Sequence, residues 1–368
     1  MAITTTAGPD IIEGTPDDDV LDGGGGNDRF IGDAGDDTLD GGEGADWVDY
    51  RNSTVAVEAW LDGTTGIGGD ADGDELINIE HIAGSAYDDR LTGDAGNNIL
   101  RGGAGADTLD GGAGKDWADY RDSAEAVQVF LDGSNLNTGG TAEGDVLIDI
   151  ELVLGSDYAD TLTGDDSNNM FRGGDGADTL DGGVGSDWAS YRDSSEAVTV
   201  YLNGTAGSGG TAAGDELINI EHIAGSAFDD TLNGDAGNNI FRGGDGADTL
   251  DGGDGVDWAD YRDSDEAVTV DLAVGSGSGG TAEGDVLIDI ELVLGSDYAD
   301  TLTGDDGNNI FRGGDGADTM DGGDGNDVAD YRDSGEAVQV FLDGSNTNMG
   351  GTAEGDELSN IERVLGSF

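Results

Sequence analysis

The sequence of 368 residues contains no cysteine, 2 prolines and only 13 lysines and arginines. The absence of cysteine excludes disulfide bonds, thiolate zinc sites and cysteine nucleophiles. The deficit of basic residues removes the usual contacts to nucleic acid phosphates and to an anionic membrane surface. No apolar run is long enough to span a bilayer, and residues 1–8 lack the basic and apolar regions of a secretory signal peptide. We therefore expect no nucleic acid partner, no membrane insertion and no export by the general secretory route.

Acidic residues dominate what is present. The chain has 82 aspartates and glutamates, a formal net charge of −69 and an apolar content of only 35%. Such a composition is typical of chains that do not collapse unaided, because like charges repel and too little apolar surface is available for burial. A folded form of this chain therefore requires cations.

The chain is an array of five repeats. The dipeptides Tyr-Arg and Ile-Glu each recur five times, at intervals of about 70 residues. The repeats span residues 14–83, 84–154, 155–224, 225–294 and 295–365. Residues 1–13 and 366–368 continue the same pattern, so we expect both ends to be uncapped and the repeats to form one continuous structure.

Each repeat begins with four nonapeptides of the pattern Gly-Gly-x-Gly-x-Asp-x-U-x, where U is apolar. Across all 20 copies the first residue is Gly, the sixth is Asp in 16 and Asn in four, and the eighth is apolar. The glycines allow a tight turn with inward carbonyl oxygens, and the last three residues form a short strand with its middle side chain in the core. Two nonapeptides form one coil, and coils stack in parallel at about 4.8 Å. The pattern predicts an all-β fold, a parallel β-roll or β-solenoid.

The stacked turns predict calcium as the missing cation. Rows of carboxylates about 4.8 Å apart repel one another unless a cation lies between them. Carboxylate and carbonyl oxygens without His or Cys select hard ions, and calcium accepts the flexible, high coordination that stacked turns offer. Pairing the first with the third and the second with the fourth nonapeptide gives two sites per repeat and at least ten in the chain. Participation of spacer turns would raise the number to about 20.

These nonapeptides and the Gly-Asp-x-Leu-x-x-Ile-Glu pattern of the spacers resemble the RTX family, whose repeats form calcium-bound parallel β-rolls. The resemblance covers essentially the whole chain. It implies folding in extracellular calcium after secretion by the type I route from a Gram-negative cell. It also implies a location outside the cell or at its surface.

Carried over by position, the resemblance implies calcium ligands at the sixth residue of each nonapeptide and at glycines of the third. The aspartates are Asp10, Asp19, Asp28, Asp37, Asp46, Asp89, Asp107, Asp116, Asp160, Asp178, Asp187, Asp230, Asp248, Asp257, Asp300, Asp318 and Asp327. The asparagines are Asn98, Asn169, Asn239 and Asn309. The glycines are Gly102, Gly105, Gly173, Gly176, Gly243, Gly246, Gly313 and Gly316.

The first and second nonapeptides depart from the family pattern. The fourth-position Gly of the first is replaced by Asp17, Tyr87, Tyr158, Phe228 and Tyr298. In the last four repeats the second has Asn in place of Asp. We expect weaker sites or none at these turns, because Asn lends only a neutral oxygen.

The 34 or 35 residues after each nonapeptide block form a spacer, which contains an alternating stretch, a Gly/Ser/Thr/Ala loop and a second apolar stretch. Both stretches predict strands. The repeated tryptophans of the fourth nonapeptide either pack under an adjoining spacer or stack on sugars. The arginines of the repeats are expected in fixed ion pairs or carbonyl contacts, with the Ile-Glu carboxylates as one possible partner.

Catalysis finds no support, because the chain has no HExxH, no Gly-x-Ser-x-Gly and no unique polar cluster. The sequence favours a secreted structural protein that folds on calcium. Its uncapped ends either belong to a fragment of a longer repeat array or stack head-to-tail between copies, and the second would give a homo-oligomer that forms a filament, matrix or surface layer. The alternative is a binding or spacer module of an adhesin, with polysaccharide or a cell surface as partner.

Overall fold

The computed structural model describes residues 7–342 and 347–367. Contacts within the chain divide it into two compact units, Met1–Asp187 and Trp188–Phe368, and each is described by itself. Residues 1–6 and Phe368, at the two ends expected to be uncapped, lie outside the described residues, as does part of the last spacer loop, residues 343–346. The single continuous solenoid therefore stays a prediction.

The described residues form 36 strands of three residues each and five short 3-10 helices. Repeat 1, with the strand before it, contains β1 (Ile11–Glu13), β2 (Val20–Asp22), β3 (Arg29–Ile31), β4 (Thr38–Asp40), β5 (Trp47–Asp49), β6 (Glu58–Trp60), η1 (Gly69–Ala71), β7 (Glu75–Ile77) and β8 (His81–Ala83). Repeat 2 contains β9 (Arg90–Thr92), β10 (Ile99–Arg101), β11 (Thr108–Asp110), β12 (Trp117–Asp119), β13 (Gln128–Phe130), η2 (Gly140–Ala142), β14 (Val146–Ile148) and β15 (Leu152–Leu154). Repeat 3 contains β16 (Thr161–Thr163), β17 (Met170–Arg172), β18 (Thr179–Asp181), β19 (Trp188–Ser190), β20 (Thr199–Tyr201), η3 (Gly210–Ala212), β21 (Glu216–Ile218) and β22 (His222–Ala224).

Repeat 4 contains β23 (Thr231–Asn233), β24 (Ile240–Arg242), β25 (Thr249–Asp251), β26 (Trp258–Asp260), β27 (Thr269–Asp271), β28 (Ser276–Ser278), η4 (Gly280–Ala282), β29 (Val286–Ile288) and β30 (Leu292–Leu294). Repeat 5 contains β31 (Thr301–Thr303), β32 (Ile310–Arg312), β33 (Thr319–Asp321), β34 (Val328–Asp330), η5 (Gly351–Ala353), β35 (Glu357–Ser359) and β36 (Arg363–Leu365). Among the described residues, no helix has the length and apolar character needed to cross a membrane.

Each nonapeptide folds as its pattern predicts. The eighth residue is the centre of the strand and is fully buried, as Leu91, Leu100 and Leu109 illustrate at 0% exposure. Leu91 pairs with Leu109 in a parallel ladder, so the coil contains 18 residues. The same register joins Leu232 to Leu250 in the C-terminal unit. The narrow core is therefore a stack of single apolar side chains.

Both units have two faces of strands that are parallel except at β28. In the N-terminal unit the first face has the order β1-β3-β5-β8-β10-β12-β15-β17, and the second has β2-β4-β7, β6-β9-β11-β14 and β13-β16-β18. In the C-terminal unit the first face is β19-β22-β24-β26-β30-β32-β34-β36, and the second contains β20-β23-β25-β29-β28-β27-β31-β33-β35. The described chain is all-β, and each unit is a parallel β-roll.

The spacer contributes strands to both faces. In repeat 2, β14 pairs with the preceding β11, β13 pairs with the following β16, and β15 joins the first face. The loop between β13 and β14 folds back, and Gln128 pairs with Thr138 in an antiparallel bridge. In repeat 4 this return forms a full strand, β28, antiparallel to β27. The spacer thus interrupts the parallel ladder of the second face and leaves that of the first face intact. Both predicted spacer strands are confirmed in repeats 1 to 4.

Candidate metal sites at the turns

The turn of the third nonapeptide requires glycine at its second and fourth positions, as repeat 2 shows. There Gly103 has φ 93° and Gly105 has φ 136°, both in the left-handed region. A Cβ at Gly105 would lie 2.6 Å from the carbonyl oxygen of Tyr87 in the preceding turn of the same edge. Turns that are one coil apart are therefore in close backbone contact.

Along one edge of the roll the sixth-position carboxylates form a hydrogen-bonded row. In repeat 2 the backbone N–H of Asp89 donates to Asp107 Oδ1 at 2.8 Å, and the N–H of Asp107 donates to Asp145 Oδ1 at 2.8 Å. All three side chains are buried, and Asp145 belongs to the spacer. The corresponding rows are Asp19–Asp37–Asp74, Asp160–Asp178, Asp230–Asp248–Asp285 and Asp300–Asp318–Asp356.

The other edge carries a similar row that ends on a glutamate. The backbone N–H of Asn98 donates to Asp116 Oδ1 at 2.7 Å, and the N–H of Asp116 donates to Glu151 Oε2 at 3.0 Å. The corresponding rows are Asp10–Asp28–Asp46–Glu80, Asn169–Asp187, Asn239–Asp257–Glu291 and Asn309–Asp327–Glu362.

In both rows the middle carboxylate keeps one oxygen without a hydrogen bond. Asp107 Oδ2 and Asp116 Oδ2 have no hydrogen-bond donor, although both residues are 0% exposed. Burial raises the pKa of Asp107 to about 8 and that of Asp116 to about 6. When ionised, these groups are uncompensated, and a bound cation would compensate them. The same oxygen has no hydrogen-bond partner in Asp28, Asp37, Asp46, Asp248, Asp257, Asp318 and Asp327.

In repeats 2 to 5 the sixth residues of the first and second nonapeptides are hydrogen-bonded instead. Asp230 Oδ1 accepts from the N–H of Val198 at 2.7 Å, and its Oδ2 accepts from the N–H of Ser226 at 2.5 Å. Asn239 Oδ1 accepts from the N–H of Asp235 at 3.0 Å, and its Nδ2 donates to the carbonyl of Glu221 at 3.0 Å. The contact from the Ser backbone N–H recurs at Asp89, Asp160 and Asp300, and the contact from the N–H four residues earlier recurs at Asn98, Asn169 and Asn309.

Backbone carbonyls supply the other oxygens at these turns. The carbonyl oxygen of Gly102 points at Gly84 in the preceding turn, 2.7 Å from the position a Cβ would take there. The same contact recurs at Gly173, Gly243 and Gly313. The fourth-position glycines of the third nonapeptide have positive φ and lie against the backbone of the first nonapeptide; they are Gly105, Gly176, Gly246 and Gly316. Over residues 7–342 and 347–367, no three His, Cys, Asp or Glu side chains converge on a metal position. A cation here would thus be held by a carboxylate oxygen together with carbonyl oxygens, a donor set that suits calcium.

The spacer residues that end the two rows were not identified from the sequence. Asp145 Oδ2 accepts from the hydroxyl of Tyr120 at 3.0 Å, so both of its oxygens are occupied. Equivalent contacts join Tyr50 to Asp74, Tyr191 to Asp215, Tyr261 to Asp285 and Tyr331 to Asp356. The sequence does show that the equivalents of Tyr120 and Asp145 recur in each repeat. Their hydrogen bond could not be predicted, because it depends on the path of the spacer.

We expect Tyr120→Phe to destabilise the roll by about 1–3 kcal/mol, because it leaves Asp145 Oδ2 buried without a hydrogen bond. Tyr158→Phe is the matched control, since the Tyr158 side chain is 46% exposed. Urea unfolding of both variants in saturating calcium measures the difference. Equal midpoints for the two variants would contradict a stabilising role for the Tyr120 hydroxyl.

The repeated arginines form ion pairs at the end of the fourth nonapeptide. Arg121 Nε donates to Asp119 Oδ1 at 2.9 Å, and Arg101 Nη2 donates to Asp119 Oδ2 at 2.5 Å. The same arrangement recurs in repeats 4 and 5. Asp260 pairs with Arg242 and Arg262, and Asp330 pairs with Arg312 and Arg332. The expectation of fixed ion pairs is confirmed at these positions, but the partner is this aspartate and not the glutamate of Ile-Glu.

The repeated tryptophans lie half-buried on the outer side of the first face. The Trp47 ring contacts the His81 ring of the adjoining spacer with centroids 4.9 Å apart, and the Arg101 guanidinium lies 5.5 Å from the Trp47 centroid. Trp188 has the same two contacts, with His222 and Arg242. This geometry agrees with packing against the spacer.

Comparison with known families identifies the nonapeptide blocks. A model of the RTX calcium-binding nonapeptide repeat matches residues 4–39, 22–51, 83–118, 154–189, 224–259 and 294–329, which together are just over half of the chain. A search of curated proteins finds no match to the chain.

Proposed function

Because the chain belongs to the family of proteins with RTX calcium-binding repeats, we propose that it is a secreted structural protein, without catalytic activity, whose fold is completed by calcium. The observation that carries this proposal is the buried carboxylate oxygen without a hydrogen bond, which recurs at the third and fourth nonapeptides. Calcium removal from the purified chain tests it, and we expect the chain to unfold.

A location outside the cell fits this dependence on calcium. Extracellular calcium modules bind at about 10⁻⁴–10⁻³ M, far above cytosolic calcium levels. A chain with a net charge of −69 would therefore remain unfolded before export and fold after it. This state suits secretion through a channel, and we propose the type I route on the basis of the RTX family.

The proposed structural role includes assembly of copies head-to-tail into a filament, matrix or surface layer. Its support is the way in which repeats stack within each unit: β8 of repeat 1 pairs with β10 of repeat 2 in the register used inside each repeat, with Ile82 opposite Leu100. The same surfaces on a second copy could continue the ladder.

We expect the full chain to form particles larger than a monomer in millimolar calcium, and to return to monomers in chelator. Multi-angle light scattering and electron microscopy measure this change. Magnesium at the same concentration is the control for general charge neutralisation. A chain that stays monomeric in calcium would contradict the assembly and leave the calcium-dependent fold untouched.

One observation favours the alternative, a binding module. The N-terminal unit contains an open cavity of about 190 Å³ whose walls carry three guanidinium groups and an indole ring, features that suit an acidic sugar. It is lined by Arg29, Trp47, Asp49, Arg51, Ala83 and Arg101. A glycan array with calcium discriminates between the roles: a signal abolished by Arg29→Ala favours the binding module, and no saccharide-specific signal favours the structural role.

A further inference from the structure

The turns of the roll fall into two classes by the state of the sixth side chain. We call a turn open when its sixth-position carboxylate has a buried oxygen without a hydrogen bond, as at Asp248 and Asp257. A turn is closed when that side chain is hydrogen-bonded through both of its terminal atoms, as at Asp230 and Asn239. In repeats 2, 4 and 5 the third and fourth nonapeptides form open turns, and the first and second form closed turns.

We propose that calcium binds only at the open turns, with one ion for each open carboxylate. This inference rests on the proposed calcium-dependent function and specifies where the ions lie. Repeats 2 to 5 then each hold one ion on each edge, rather than one at every nonapeptide and spacer turn. Asp178 and Asp187 are included as the equivalents of Asp248 and Asp257 in repeat 3.

The hydrogen bonds of a closed turn oppose a metal there. Both oxygens of Asp230 accept backbone N–H groups, and a cation at either oxygen would face the positive end of an N–H dipole. The Ser226 hydroxyl adds a third hydrogen bond to the same carboxylate, at 2.9 Å. Asn239 carries no charge, and its amide hydrogens face the carbonyl of Glu221. A closed turn is thus complete without calcium, since its polar atoms are already satisfied.

The spacer ends each row without adding an ion. Both oxygens of Asp285 are occupied, because Oδ1 accepts from the N–H of Asp248 at 2.9 Å and Oδ2 accepts from the Tyr261 hydroxyl at 2.9 Å. On the other edge Glu291 Oε2 accepts from the N–H of Asp257 at 2.8 Å. Among the residues that the structure describes, neither spacer carboxylate has an oxygen that is buried without a hydrogen bond. These acceptors fix the position of the open carboxylate before them.

Repeat 1 differs from the others at one turn. Its second nonapeptide has Asp28, which is 1% exposed and has no hydrogen bond at Oδ2, where the later repeats have Asn. Its first nonapeptide is not an open turn, since Asp19 Oδ2 accepts from the N–H and hydroxyl of Thr15 at 2.6 and 2.8 Å. Two sites in each of five repeats, with those of repeat 3 placed at Asp178 and Asp187 by equivalence of position, and the additional turn at Asp28 give eleven sites.

Native mass spectrometry of the calcium-saturated full chain tests this count, with magnesium present to displace weakly held surface ions. We expect eleven calcium ions in the wild type, ten in Asp28→Asn and twelve in Asn239→Asp. Asp230→Asn is the control at a closed turn, and we expect it to retain eleven. Circular dichroism in calcium verifies that each counted variant has the wild-type content of β structure.

A count near 20 in the wild type would overturn the inference, as would an unchanged count in Asp28→Asn or the loss of an ion in Asp230→Asn. If Asn239→Asp failed to fold, the wild-type and Asp28→Asn counts alone would decide. Failure of the proposed function has a different signature, because the wild-type chain would then bind no calcium in the presence of magnesium.

Discussion

Removal of calcium is expected to convert the chain from a β-rich to a disordered state. At neutral pH the open carboxylates are ionised in the unfolded chain, and burial opposes that ionisation: it raises the pKa of Asp248 and Asp318 to about 8. Without a cation, folding must either protonate these groups or bury their charges. The net charge of −69 adds repulsion throughout the chain. Circular dichroism in excess chelator, followed by calcium titration, should show loss and then recovery of the β signal.

Two controls separate site binding from charge screening. Sodium chloride at high concentration shortens the Debye length to about 3 Å at 1 M, so it weakens repulsion without filling the sites. Magnesium tests the coordination, because it prefers a strict octahedron that retains water. We expect neither to restore the β signal at concentrations where calcium does. A β-rich spectrum in chelator, or full recovery in sodium chloride alone, would contradict a fold completed by calcium.

The second large effect is expected from the core. Phe241 is 0% exposed at the centre of β24, where it pairs with Ile223 on one side and Ala259 on the other. Phe241→Ala should lower the free energy of unfolding by about 3–5 kcal/mol, because a core one side chain thick has few neighbours that can fill the cavity. Urea unfolding in saturating calcium, followed by circular dichroism, measures the change.

Phe228→Ala provides the matched control in the same repeat. Phe228 occupies the fourth position of a first nonapeptide and its side chain is 43% exposed. We expect its removal to change stability by less than about 0.5 kcal/mol. Equal shifts in the two variants would contradict the assignment of the eighth position as the core position. Contacts in a repeat protein are mainly between neighbours, so the loss should be local to the C-terminal unit.

Much of the fold can be predicted from the sequence, because each nonapeptide specifies its own turn and strand. A turn that requires Gly105 and a strand that buries Leu109 lie within eight residues of one another, and the period alone gives their stacking. The alternating stretch of the spacer likewise predicts β13. The glycines, the core positions and the coil length of 18 residues therefore follow from pattern and spacing.

Which turns are open and which are closed cannot be predicted from the sequence in the same way. Asp107 and Asp145 are 38 residues apart, and only the path of the spacer brings the second to the N–H of the first. Asp89 and Asp107 occupy the same nonapeptide position. Ser85 donates hydrogen bonds to the Asp89 carboxylate, whereas Asp107 Oδ2 has no hydrogen-bond donor. The difference arises from the residue at the second position, Ser85 or Gly103. Its effect is visible only once the hydrogen bonds of the turn are known.

The carboxylate rows give the roll a chemical polarity. In every row the donor is the backbone N–H of the earlier turn and the acceptor is the carboxylate of the later one, as from Asp300 to Asp318 and from Asp318 to Asp356. A roll that is cut within a row therefore presents acceptor oxygens at one end and donor N–H groups at the other. Two like ends cannot satisfy each other, whereas unlike ends can. A contact between copies that extends these rows must join unlike ends, so it leaves a new pair of unlike ends available and does not close into a dimer.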